Sequence, residues 1–115
     1  MATKNIEMYS RKQYELEQIK DGIISYFEQH KKEVAVFRQA IRRELGEAKT
    51  LLLIFERYYF RNEENVTLAI QLAEFRGYQS ADIIATGGRG YAGETRLVDF
   101  GIEALKSLGF DGKDI

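Results

Sequence analysis

The chain has no cysteine, no proline and a single histidine, His30, among its 115 residues. Without cysteine there are no disulfides, thiolate zinc sites or cysteine nucleophiles. One histidine excludes a multi-histidine metal site, and no metal or other cofactor is expected. The lack of proline hands every turn to glycine, asparagine and charged residues, and it removes X-Pro isomerisation as a switch. Neither sign of charge dominates: seventeen basic residues oppose eighteen acidic ones, for a net charge of −1. No global field therefore draws the chain to nucleic acid or membrane. Apolar runs stay well short of the ~20 residues that span a bilayer. Met1 to Asn5 is polar and lacks the apolar core of a secretory signal. The expectation is a cytoplasmic protein.

What is present fits one α+β domain over residues 1–115. A chain of this length buries roughly two-thirds of its unfolded surface and needs no covalent staple. No repeat, linker or low-complexity tract is visible, and only Gly109 to Ile115 is expected to fray.

Asn5 to Tyr9 reads as a short strand with Ile6 and Met8 on one face. Ser10 and Gln13 then have capping-box spacing, with Tyr9 and Tyr14 placed as a hydrophobic staple. Leu16, Ile19, Ile23, Tyr26 and Phe27 follow at helical period, predicting a helix over about residues 11 to 29. Residues 34–45 support two readings. Val34, Phe37, Ile41 and Leu45 suit a helix capped by Gly46; alternation at Val34 and Val36 with a turn at Leu45-Gly46-Glu47 suits a hairpin strand.

Beyond Lys49 the period falls to two. Leu51, Leu53, Phe55 and Tyr59 share one face, and Leu52, Ile54, Tyr58 and Phe60 the other, as in a central strand covered on both sides. Asn62 to Asn65 is a turn. Val66, Leu68, Ile70 and Leu72 then alternate with smaller or polar residues in a half-buried strand. A reversal at Arg76 to Gln79 leads to a further strand, Ser80 to Thr86. Short turns between these strands imply an antiparallel meander. A last helix, from about Thr95 to Leu108, carries Leu97, Gly101, Ala104, Leu105 and Leu108 on its buried stripe and is capped by Gly109. The pattern predicts an antiparallel sheet of three to five strands with two or three helices packed on it.

Three short runs carry a resemblance: Phe55-Glu56-Arg57-Tyr58-Tyr59-Phe60-Arg61, Ala85-Thr86-Gly87-Gly88 and Phe100-Gly101-Ile102-Glu103. Together they resemble an uncharacterised family of small bacterial proteins, a domain of unknown function, over roughly residues 50–105. The resemblance implies an α+β fold and a bacterial cytosolic origin, and it brings no activity. This chain reads Phe-Gly-Ile-Glu where the family usually has a tryptophan and an alanine.

The candidate site residues are Gly87, Gly88, Arg89, Gly90, Thr95 and Glu56. Gly88 to Gly93 matches G-x-G-x-x-G between a predicted strand and a predicted helix, where amides from Gly90 to Thr95 and the Arg89 guanidinium would cradle a phosphate. Too little chain follows Gly93 for a dinucleotide fold, and the bland reading is a tight strand-to-helix corner. Glu56 falls on a largely apolar strand face, which makes it a candidate proton-transfer group. The bland reading pairs it with Arg61 or Arg76, or brings it out into solvent. No second catalytic group accompanies it, so no catalytic residue is assigned. Tyr58, Tyr59 and Phe60 between Arg57 and Arg61 invite base stacking, but the balanced charge does not favour nucleic acid. Basic residues at Lys31, Lys32, Arg38, Arg42, Arg43 and Lys49 are diluted by Glu33, Glu44 and Glu47, as on a solvated face.

The expected function is a non-enzymatic interaction or self-associating domain, with a small-molecule or phosphate binder at the glycine corner as the alternative. A homodimer is expected, because a small sheet apolar on both faces has more to cover than two helices can manage.

Overall fold

The computed structural model describes residues 3–29, 35–59, 64–87 and 91–112, without side chains for 3–5, 58–59, 64 and 91–95. The element order is β1 (Thr3–Arg11), α1 (Leu16–Gln29), β2 (Val36–Leu45), β3 (Ala48–Tyr59), β4 (Glu64–Phe75), β5 (Tyr78–Thr86) and α2 (Tyr91–Ser107). All five strands form one antiparallel sheet in the order β1-β5-β4-β3-β2. The last four strands are a meander, and β1 closes it by pairing with β5. The predicted α+β class holds, with an antiparallel sheet and two helices among the described residues.

The turns explain the meander. Arg76 and Gly77 both have positive φ, at 50° and 82°, between Phe75 and Tyr78. Positive φ at both central residues defines a type I′ turn, whose twist matches that of flanking strands. At the β2–β3 turn only Gly46 has positive φ, 61°, which suits a type II′ turn.

Both helices lie on one face of the sheet. Leu16, Ile19, Ile23 and Phe27 of α1 are buried there, as are Leu97, Val98, Ala104 and Leu105 of α2. The sheet answers with alternate residues: Leu51, Leu53 and Phe55 on β3, Val66 to Leu72 on β4, and Ala81, Ile83 and Ala85 on β5. Each of these is essentially sealed from water. Full burial of one such side chain contributes ~1.5–3 kcal/mol, so the core lies in a single layer between helices and sheet. Phe55 stands at its β3 end, with ring centroids 4.7 Å from Phe27 and 5.4 Å from Phe37.

Several expectations need correction. Residues 36–45, ambiguous between helix and strand, form the edge strand β2, paired with β3 from Val36 to Leu45 with a bulge between Phe37 and Gln39. The exposed side of β3 needs a hydrogen-bonding neighbour, and the tight turn at Gly46 supplies one. The Ser10–Gln13 capping box does not form. Ser10 stays in β1, because the ladder to β5 continues to Arg11 and Lys12 N–H still donates to the Gly77 carbonyl at 2.8 Å. The helix starts at Leu16 instead, where Glu15 N–H donates to Gln18 Oε1 at 2.9 Å. Tyr9 lies in the strand and no Tyr9–Tyr14 staple operates. The helix α2 begins at Tyr91, four residues before Thr95.

Gly109 to Asp111 does not fray. Gly109 N–H and Phe110 N–H donate back to Lys106 and Leu105 in the Schellman pattern. Phe110 is buried, and Asp111 pairs with Tyr9 at the outer edge of β1. Finally, among the described residues β3 is covered on one side only: Leu52 and Ile54 point away from both helices and are half-buried, and no described element lies above them.

Candidate interaction surface

The glycine corner starts at Gly87, with φ at 111°. A Cβ there would lie 2.6 Å from the Asn65 carbonyl oxygen on β4. Close approach of two backbones thus accounts for this glycine without a ligand. Gly88, Arg89 and Gly90 lie outside the described residues, and Thr95 is described only as part of α2. The ladders bring Glu56 near the described start of this corner: it pairs with Thr67, which pairs with Thr86 beside Gly87, and its hydrogen-bond partner Asn65 is the residue whose carbonyl lies against Gly87. The Glu56 side chain alternates with buried Phe55 and so lies on the face opposite the helices.

Glu56 does pair with an arginine, Arg38. Arg38 Nε lies 3.7 Å from Glu56 Oε1, and Asn65 Nδ2 donates to Oε2 at 3.2 Å. Arg76 instead contacts Glu47 at 3.0 Å, and Arg61 lies outside the described residues. The bulge beside Phe37 turns Arg38 toward β3. That pairing depends on β2 being a strand, so the sequence offered no route to it. The side chains of Tyr58 to Arg61 are likewise outside what is described, as are Lys31 and Lys32. Arg42 turns inward to Glu17 on α1, with Nη2 to Oε1 at 2.7 Å.

A buried polar group went unnoticed in the sequence. Glu74 is only 8% exposed, on the helix side at the β4–β5 end. Gln79 Nε2 donates to its Oε1 at 2.9 Å and to the Tyr14 carbonyl at 2.8 Å. Lys12 Nζ donates to its Oε2 at 3.0 Å. Burial pushes the carboxyl up, but the Gln79 and Lys12 hydrogen bonds outweigh it and leave Glu74 below its ordinary pKa. The same bond raises the Lys12 ammonium. This carboxylate is fully engaged in tying the β1–α1 connection to the β4–β5 hairpin, and it is not poised to exchange a proton. Strand parity was the available signal: Glu74 follows Leu72 on the buried side, and Gln79 precedes Ala81.

The helix-free face carries the surface of interest. Alternation assigns it Gln39, Ile41, Arg43 and Leu45 on β2; Ala48, Thr50, Leu52, Ile54 and Glu56 on β3; Asn65, Thr67, Ala69, Gln71, Ala73 and Phe75 on β4; Tyr78, Ser80, Asp82, Ile84 and Thr86 on β5; and Glu7, Tyr9 and Arg11 on β1. Leu45, Phe75 and Tyr78 are 78%, 49% and 51% exposed, and Ile41 and Ile84 each 37%. Near the hairpin turns the face dips into an apolar depression of about 430 Å³ floored by Ala48 and Ala73 and edged by Tyr9, Phe75 and Tyr78. Toward the other edge Asp82 stands directly opposite Glu7 across the β1–β5 ladder. Burial among its neighbours raises the Asp82 carboxyl, and Glu7 adds to the shift.

A second apolar cleft, of about 390 Å³, opens between the end of α1 and the β2–β3 edge, lined by Ile24, Phe27, Phe37 and Phe55 with Glu28 as its ionisable group. Among the described residues no three metal-ligating side chains cluster, and no helix is long and apolar enough to cross a membrane. No family model matches the chain, and neither the curated proteins nor the solved structures yield a match.

Proposed function

We propose that this protein is a non-enzymatic, self-associating interaction domain of the bacterial cytoplasm, and that the helix-free face of its sheet is the surface through which a second copy binds. The single observation that carries this reading is the apolar content of a face that neither helix touches. Leu52, Ile54, Ala69 and Ile84 form a continuous band across its three inner strands, extended by Ile41 on β2. Antiparallel sheets with one solvated face normally alternate apolar inside with polar outside, and this band departs from that rule. Exposed contiguous apolar surface of this kind marks association.

The size also fits. Five strands of nine to twelve residues, ~4.8 Å apart with a rise of ~3.3 Å per residue, present roughly 800 Å² in projection, near the ~800 Å² that each partner gives a standard interface. The bacterial assignment rests on the family resemblance and the cytoplasmic one on composition.

Sedimentation velocity over a wide concentration range tests the reading. The native chain is expected to move from 13.3 kDa toward twice that mass as concentration rises. Ile84→Lys adds a charge to the open face without touching the core, so it should stay monomeric with an unchanged circular dichroism spectrum. A native chain that remains monomeric throughout, or an Ile84→Lys variant that associates equally well, would overturn the proposal.

A further inference from the structure

The two edges of the sheet are finished differently. At β1 the chain closes its own edge: Tyr9 N–H donates to the Asp111 carbonyl at 2.7 Å, and Asp111 N–H returns the bond at 2.8 Å. At β2 nothing among the described residues does the same. The register says which groups this leaves open. Only Gly46 and Glu47 lie between the paired residues Leu45 and Ala48, a tight hairpin in which those two exchange backbone hydrogen bonds. Hydrogen-bonded and non-hydrogen-bonded pairs alternate along an antiparallel ladder. Arg43 and Ile41 therefore bond to β3, whereas Glu44, Arg42 and Ala40 turn their N–H and C=O groups outward. The bulge between Phe37 and Gln39 lies at the far end and leaves this stretch regular.

Edge strands are commonly blunted with charge, but two of the β2 arginines are already engaged, Arg38 by Glu56 and Arg42 by Glu17. Arg43 enters no ion pair among the described residues. It stands on the open face between Ile41 and Leu45, both exposed, and its ladder partner is the uncharged Thr50. Its chain neighbour Glu44 points to the other face, opposite Lys49. On that helix side, clefts of about 390 and 200 Å³ open beside α1 at the two ends of β2. An added strand therefore meets no obstacle among the described residues.

We infer that the β2 edge binds an extended peptide as a sixth, antiparallel strand, and that the peptide reads apolar, any, acidic, any, apolar. Its outer apolar side chains lie beside Leu45 and Ile41, and its carboxylate lies beside Arg43. The open backbone groups of Ala40, Arg42 and Glu44 supply the main-chain bonds, and the alternate side chains supply the choice of sequence. Opposite charges directly across a ladder stabilise it. A second copy's β2 is a poorer occupant. The open-face residues of that strand are Val36, Gln39, Ile41, Arg43 and Leu45, so no antiparallel register gives Arg43 a carboxylate. The inference does not depend on the self-association proposed above, which uses the face rather than the edge.

The probe is the end-blocked, fluorescently labelled peptide Thr-Ile-Thr-Glu-Thr-Ile-Thr, with a version carrying lysine in place of glutamate. Anisotropy titrations should show the native chain binding the glutamate peptide about fivefold more tightly than the lysine one. Arg43→Glu should reverse that preference. Amide hydrogen exchange by NMR gives the second readout. In the free chain the Ala40, Arg42 and Glu44 amides should exchange faster than those of Ile41 and Arg43, and saturating glutamate peptide should slow all three. The Ile84→Lys chain should bind the peptide as the native chain does, so failure at the edge and failure of face-to-face association are separable. No binding at millimolar peptide, binding that leaves those three amides unprotected, or binding blind to the charge at position 43 would each overturn the inference. Protection of the same amides that grows with protein concentration, without peptide, would assign the edge to a second copy and overturn it as well.

Discussion

Gly87→Ala is expected to be the most damaging single-methyl change in the chain, and the structure allows its cost to be divided. Three of the four described glycines with positive φ, Gly46, Gly77 and Gly87, differ in what a Cβ would meet. At Gly46 and Gly77 nothing lies within 4 Å, so alanine there meets only backbone strain. Left-handed backbone costs an L-residue roughly 1–2 kcal/mol. Gly87 has the more extreme φ of 111°, in a region costing ~1–3 kcal/mol for other residues. Its added Cβ would also sit 2.6 Å from the Asn65 carbonyl oxygen. That oxygen belongs to backbone held by the β3–β4 ladder, where Asn65 pairs with Tyr58, so it cannot swing aside as a side chain would. Overpacking of this kind adds about 1–3 kcal/mol.

The total of about 4 kcal/mol is a large share of the ~5–15 kcal/mol that holds a domain folded. Urea unfolding of the three alanine variants at one fixed protein concentration measures it. The expected order is Gly87→Ala far below Gly46→Ala and Gly77→Ala, which should lose about 1–2 kcal/mol each, with unchanged m-values. A Gly87→Ala variant no less stable than the other two would refute the close-approach account of this glycine.

Two further predictions concern charge. Glu74 is held below its ordinary pKa, so its contribution is fully present above the unfolded carboxylate range and fades as pH falls through the depressed folded value. Glu74→Gln should therefore cost about 2 kcal/mol at neutral pH, typical for hydrogen bonds to a charged group. The gap from the native chain should close under acid, and equal urea midpoints at neutral pH would contradict the latch. Asp82 has the opposite sign: its raised pKa means that the folded chain gains stability as pH falls through that value. Asp82→Asn should stabilise the isolated protomer by up to about 1 kcal/mol at neutral pH, with the gain lost on acidification.

The central meander was legible because its signals are local. Strict alternation from Val66 to Leu72 and the Arg76-Gly77 turn each identify themselves within a few residues. The helix stripes of α1 and α2 were equally plain. The edge strand β2 was not legible. It is exposed along most of its length, and only Phe37 and Ala40 pack against the core, so no period dominates. The start of α1 was misplaced because Ser10 and Gln13 satisfy a local capping pattern, while the competing ladder to β5 is a contact across most of the chain. The site residues divide in the same way. Glu56 was placed on the correct strand face, but its partner Arg38 depended on the unresolved choice for β2. Apolar residues on both faces of β3 were visible as such, yet they were read as two covered faces where the described residues cover only one.

The most direct test is the exposure of the open-face methyl groups to a soluble paramagnetic relaxation agent, measured by NMR at concentrations where self-association should be complete. Leu52, Ile54 and Ile84 should be shielded nearly as well as Leu53 and Ile70 beneath the helices, while Leu45 at the strand end relaxes rapidly. If Leu52, Ile54 and Ile84 relax as fast as Leu45, nothing covers this face and the account is wrong.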